Sequence, residues 1–171
     1  NDRGQLIMAC GTGKTYTTLW IKEKINSKST LVLVPSLSLL SQSLKEWTFA
    51  SKEPFDVLCV CSDATVGKNS SYDSIEQSVK DFPFKVTSNV KEEALEEIKK
   101  FLKGRGSKVI FSTYQSSPLI AESQSEIKNT MFDLMIADEA HKCAGNVGSL
   151  FTTCLDESKI KSKRRLFTTA T

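Results

Sequence analysis

The fold class this sequence predicts is a layered α/β domain: a mostly parallel sheet with helices on both faces. Three observations predict it. Short apolar, β-branched runs alternate with helical patterns along the whole chain. Each run is nearly continuous in apolar character, as strands covered on both faces require. The length of 171 residues suits one domain and leaves little room for a second.

Taken in order, residues 6–9 form an apolar run that leads through a glycine turn into a helical pattern over 14–26. Residues 30–34 (Thr-Leu-Val-Leu-Val) read as a strand and 37–50 as a helix. A third strand is expected over 56–61, where period-2 alternation puts Cys59 and Cys61 on one face. The polar stretch 62–89 carries Gly67 and Pro83 and reads as an excursion with a short helix over 75–79. Over 90–102, Ala94, Leu95, Ile98, Phe101 and Leu102 form one stripe, and Glu96 and Lys100 form an i,i+4 pair. Gly104-Arg105-Gly106 then stops that helix. Further strands follow over 108–112, 132–137 and 165–168, with a short helix opened by Ser117-Pro118 and running to 127. Trp20 and Trp47 fall beside apolar neighbours on helices and are expected in the core.

Composition excludes several classes. With 39% hydrophobic and 25% charged residues the chain is too apolar for disorder, and no run approaches the ~18 residues of a membrane span. The start is polar, without a secretory signal. Five scattered cysteines and one histidine do not make a zinc pattern, and His141 with Cys143 cannot complete a four-ligand shell. Reduced thiols and a cytoplasmic setting are the expectation. The formal charge is +3, and the excess lies in Lys159, Lys161, Lys163, Arg164 and Arg165. That cluster reads as a solvated face, with nucleic-acid contact as the alternative.

Two motifs carry chemistry. Met8-Ala9-Cys10-Gly11-Thr12-Gly13-Lys14-Thr15 runs from strand through glycine turn to helix, the order a phosphate tail needs. Gly11 and Gly13 can aim successive N–H groups inward together with Thr12, and the helix adds its positive end. Lys14 can reach the β- and γ-phosphates of ATP, and the Thr15 hydroxyl can ligate Mg²⁺. Met8 stands where the full pattern has glycine. The second motif, Asp138-Glu139-Ala140-His141, follows an apolar strand. Carboxylates at a strand's carboxyl end sit in the crevice where ligands bind. Asp138 would hold the Mg²⁺ shell, Glu139 would orient and deprotonate the attacking water, and His141 would sense the γ-phosphate.

These residues resemble the first RecA-like lobe of a superfamily 2 helicase or translocase, over nearly the whole chain. Residues 34–42 resemble motif Ia, residues 112–116 are similar to motif Ib/Ic, "DEAH" matches motif II, and Thr169-Ala170-Thr171 matches motif III. Within the superfamily, "MACGTGKT", "FSTYQS" and "ADEAHKCAG" look most like the motors of Type ISP restriction endonucleases, with Type I and Type III close behind. The resemblance implies ATP hydrolysis driving translocation along duplex DNA, with Thr169 and Thr171 coupling the two. It also implies a second RecA-like lobe, a nuclease, a methyltransferase and a target-recognition domain elsewhere, so that residues 1–171 are one lobe with weak activity alone. Ser36, Ser38, Thr113, Tyr114 and Gln115 offer hydroxyls and an amide to phosphate oxygens, contacts that position a strand without reading bases. For single residues, helix capping by Ser36 and core packing of Tyr114 weigh about equally. A superfamily 2 helicase without nuclease, in DNA repair or RNA metabolism, remains open, as does a non-motor nucleotide switch.

Overall fold

The computed structural model describes residues 2–9, 11–61, 85–143, 153 and 156–170. Seven strands form one sheet: β1 (Arg3–Ile7), β2 (Ser29–Val34), β3 (Asp56–Val60), β4 (Lys85–Val86), β5 (Lys108–Thr113), β6 (Leu134–Ala137) and β7 (Arg165–Thr169). Their order is β1-β7-β6-β2-β5-β3-β4, and every pairing is parallel. Among the described residues, four α-helices lie in the connections: α1 (Lys14–Lys24), α2 (Leu37–Ala50), α3 (Lys91–Lys103) and α4 (Ser117–Ser125).

The sheet is covered on both faces because successive residues of its central strands feed two different cores. On β2, Leu31 and Leu33 pack with Ile98 and Leu102 of α3 and Ile120 of α4. Val32 and Val34, between them, pack with Leu19 of α1 and Leu40, Leu44 and Trp47 of α2. Trp47 is fully buried, edge-on to Phe111 at 5.4 Å between ring centres.

Several elements depart from expectation. The first strand runs over Arg3–Ile7 rather than 6–9, because the ladder with β7 continues back to Arg3 at a solvent-facing edge where apolar character is not required. Trp20 is 54% exposed, with its ring tilted against that of Tyr16 one turn earlier, so it is not a core residue. Glu96 pairs with Lys99, which also reaches Glu126, and not with Lys100. Gly104 has φ −59°, so α3 does not end in a left-handed glycine; Gly106 holds that conformation instead, at φ 89°. The two-residue strand β4 was too short for periodicity to reveal. Arg165 is buried and donates to the Ile160 carbonyl, while Lys159, Lys161, Lys163 and Arg164 are exposed. The expected helix over 75–79, Cys10, Cys154 and Thr171 lie outside the described residues.

Candidate active site

Because the strands are parallel, their carboxyl ends share one edge of the sheet, and the loops leaving β1, β2, β5, β6 and β7 meet there. The loop after β1 holds Gly11 at φ 75° and Gly13 at φ 89°, angles that L side chains rarely adopt. A Cβ built on either glycine would meet nothing within 4 Å, so the loop borders an open hollow. The Thr12 hydroxyl donates to the Ala9 carbonyl at 2.7 Å, which closes the turn. Gly13 is the N-cap of α1 and supplies no side-chain hydrogen bond to its first amides. The contrast with α2 is informative, because there the Ser36 hydroxyl accepts from the Leu39 amide at 3.3 Å. The first turn of α1 carries no acidic residue, so its amides and positive end suit an anion.

Lys14 crosses from this loop to the end of β6. Its Nζ lies 2.7 Å from Glu139 Oε1 and 3.8 Å from Asp138 Oδ1. Burial pushes the Glu139 carboxyl up, but the Lys14 ammonium, His141 and the Ala170 amide together outweigh it and hold the group below the usual carboxylate range. Thr15 and Asp138 line one small cleft with Thr18, Ser43 and Trp47. Trp47 Nε1 donates to the Thr15 carbonyl at 3.1 Å, tying α2 to the first turn of α1.

The strand between the phosphate loop and the acidic loop is β7. It delivers two hydroxyls. Thr168 donates to Asp138 Oδ1, and Thr169 Oγ1 lies 3.0 Å from His141 Nδ1, which is also 3.3 Å from Glu139 Oε2. Glu139 itself sits at φ 51°, a left-handed angle for a non-glycine residue.

Lys14, Thr15, Asp138, Glu139 and His141, expected from sequence to form one site, lie together in space, and Thr169, expected to couple that site to movement, lies against His141. The DNA-contact candidates divide. Ser38 is exposed and Ser36 and Gln115 are partly so, whereas Thr113 and Tyr114 are buried. The Thr113 hydroxyl pairs with Ser116, and the Tyr114 hydroxyl donates to the Asp138 carbonyl at 2.6 Å. Neither side chain has surface to offer a strand. The exposed basic residues 159–164 precede β7 and stand near the amino ends of β6 and β7, at the opposite edge of the sheet from the site. Sequence reading missed Thr168, and it placed Trp47 in the core, where it is, without seeing its bond to Thr15. A threonine before motif III and a helical tryptophan carry no pattern that points to a nucleotide site.

The chain shares its fold and 32% identity, at a TM-score of 0.75 over 99% of its length, with the nuclease-deletion mutant of the Type ISP restriction-modification enzyme LlaGI in complex with a DNA substrate mimic. The DNA-bound, ATP-dependent Type ISP enzyme LlaBIII matches at the same identity and score. The "Probable helicase A859L" of African swine fever virus (isolate Pig/Kenya/KEN-50/1950) is 32% identical over 173 residues and covers the whole chain. The fold and these relatives define a class: the first RecA-like lobe of a superfamily 2 helicase-type motor. The chain belongs to the family described as Type III restriction enzyme, res subunit, which it matches over residues 1–171. It spans 17% of the viral relative and 13% and 11% of the two restriction enzymes. Among the described residues, no helix is long and apolar enough to cross a membrane.

Proposed function

We propose that this chain is the ATP-binding lobe of a DNA-translocating motor, one lobe of a longer cytoplasmic restriction enzyme that also carries a second RecA-like lobe with nuclease, methyltransferase and target-recognition domains. The observation that carries the reading is the convergence of Lys14, Asp138 and Glu139 beside an uncapped helix start. In this reading the amides of Gly11, Thr12 and Gly13 cradle the phosphates of ATP, and Lys14 moves onto the β- and γ-oxygens. Thr15 and Asp138, which border one small cleft together with Lys14, Val32, Trp47 and Ile136, carry oxygen donors of the kind Mg²⁺ takes and are the residues that would hold it. Mg²⁺ bound there supplies charge neutralisation at the phosphate oxygens.

Glu139 is the general base, and its pairing with Lys14 gives it a gate. While Lys14 is bonded to it, the carboxylate is a weak proton acceptor, held below its ordinary range. Phosphate competes for the same ammonium. Once Lys14 turns to the phosphate, the Glu139 carboxylate oxygen that it holds is free to accept a hydrogen bond from the attacking water. His141 and Thr169 carry the change to β7 and, with Thr171, couple hydrolysis to movement. Ser36, Ser38 and Gln115 offer sequence-independent contacts to DNA phosphates. The DNA-bound state of both restriction-enzyme relatives supports DNA over RNA as the track.

The test is ATP turnover of the natural polypeptide with and without DNA. Glu139→Gln is expected to bind ATP but to lose about a hundredfold or more in kcat. Lys14→Ala is expected to lose nucleotide affinity as well. Unchanged affinity in Lys14→Ala would remove the basis of the reading.

A further inference from the structure

Tyr114 has no part in the proposed chemistry. It is fully buried in the core under α3 and α4, yet its hydroxyl ends on the main chain of the acidic loop, 2.6 Å from the Asp138 carbonyl. That carbonyl belongs to the peptide unit joining Asp138 to Glu139. Its direction sets the angles on either side of the bond, including the left-handed φ of 51° at Glu139. Such an angle is unfavourable for a residue with a Cβ and persists only where neighbours over-determine it. On the other side of the same loop, the Asp138 amide donates to the Leu33 carbonyl at 2.8 Å. The residue before Glu139 is therefore pinned at both ends of its backbone, once by β2 and once by a side chain.

Tyr114 also opens the 3-10 turn Tyr114–Ser116 at the end of β5. Its neighbour Gln115 is partly exposed, and Ser117 Oγ donates to the Tyr114 carbonyl at 2.7 Å, which ties the turn to the start of α4.

We propose that Tyr114 is a positioning residue that holds the Asp138–Glu139 peptide through its hydroxyl and so sets the aim of Glu139. The inference rests on the motor reading for the role of Glu139, but its structural half stands without it. The hydroxyl keeps the peptide in place, and Glu139 stays aimed at the water. Loss of the hydroxyl frees the peptide to rotate, and the carboxylate leaves its post without any change in the phosphate loop.

The experiment uses Tyr114→Phe in the natural polypeptide, because phenylalanine keeps the buried ring and removes one oxygen. Turnover of ATP in the presence of DNA should fall about ten- to a hundredfold in kcat, with KM for ATP unchanged within about twofold. Added to Glu139→Gln, the same change should lower kcat no further, because the group it aims is already gone. Hydrogen exchange of the peptide covering 134–141 should quicken in Tyr114→Phe, with or without nucleotide. Wild-type kcat in the single variant, a full additional loss in the double variant, or unchanged exchange over 134–141 would each overturn the proposal. Faster exchange in a protein whose wild type does not hydrolyse ATP would uphold the positioning and count against the motor reading instead.

Discussion

Asp133 opens β6 with both carboxylate oxygens in use. Oδ2 accepts from the amides of Lys28 and Ser29 at 3.0 and 3.1 Å, and Oδ1 accepts from Lys163 Nζ at 2.7 Å. One side chain thus joins the starts of β2 and β6 to the segment entering β7, at the edge of the sheet away from the site. Burial pushes its carboxyl up, but Lys163 and the two amides prevail and leave it below the usual carboxylate range. Asp133→Ala is expected to cost about 1–3 kcal/mol, because two backbone donors lose their acceptor. The sign of the pH effect follows from the lowered folded value. The contribution is full above the ordinary carboxylate range and disappears as pH falls through the folded value. The stability difference between wild type and Asp133→Ala in urea should therefore shrink between about pH 6 and pH 2. A difference that widened in acid would contradict the assignment. Nothing in the sequence marked Asp133, since an aspartate at a strand start reads equally as a solvated edge.

At the scale of elements, α3 shows where local patterns suffice and where they fail. Its stripe of Ala94, Leu95, Ile98 and Leu102 is buried as the 3.6-residue period requires. Its end is another matter. The glycines after it suggested a backbone stop, but the last carbonyls are met by a side chain from β5. Lys108 Nζ reaches the Leu102 carbonyl at 2.8 Å and also bonds that of Gly104. A lysine five residues beyond a helix gives no hint that the next strand will aim it back, because the bond depends on how β5 packs under α3. The first strand was displaced for a similar reason, since β1 is defined by its ladder to β7 and not by its own apolarity. The bounds of α2, 37–50, and the burial of Trp47 were legible, whereas the choice of Ser36 as its cap was settled only by the bond to the Leu39 amide. Lys108→Met keeps the stem and removes the charge from the carbonyls it serves. The loss should be about 1–3 kcal/mol. In a domain of this size that is a melting temperature lower by roughly 2–4 °C per kcal/mol. Exchange at 99–104 should rise more than elsewhere. A variant melting with wild type would show that water serves those carbonyls equally well.

Across the whole molecule, the order β1-β7-β6 sets a strand between the phosphate loop and the carboxylates it serves. Motif spacing along the chain located both partners of Lys14, and their meeting was legible because a parallel sheet brings all carboxyl ends to one edge. That β7 would lie between them was not, since strand order is decided by how crossovers pack and not by any local run. The consequence is mechanical. A change at Glu139 reaches β7 through two side-chain bonds, His141 to Thr169 and Asp138 to Thr168, and β7 pairs with both β1 and β6. In the proposed reading ATP can be hydrolysed without Thr169, because the phosphate loop, the metal donors and the base all lie on other residues, and what the loss of Thr169 impairs is the passage of the result to β7. Thr169→Val keeps the shape of the side chain and removes the hydroxyl that faces His141. In the natural polypeptide, ATP turnover on DNA should stay within about threefold of wild type, the size expected when one neutral hydrogen bond outside the reacting atoms is lost. Distance moved per ATP, read by triplex displacement along duplex DNA, should drop much further. If turnover and movement decline in equal proportion, the hydroxyl serves the chemistry itself, and β7 is a spacer between two halves of a site instead of the link between hydrolysis and motion.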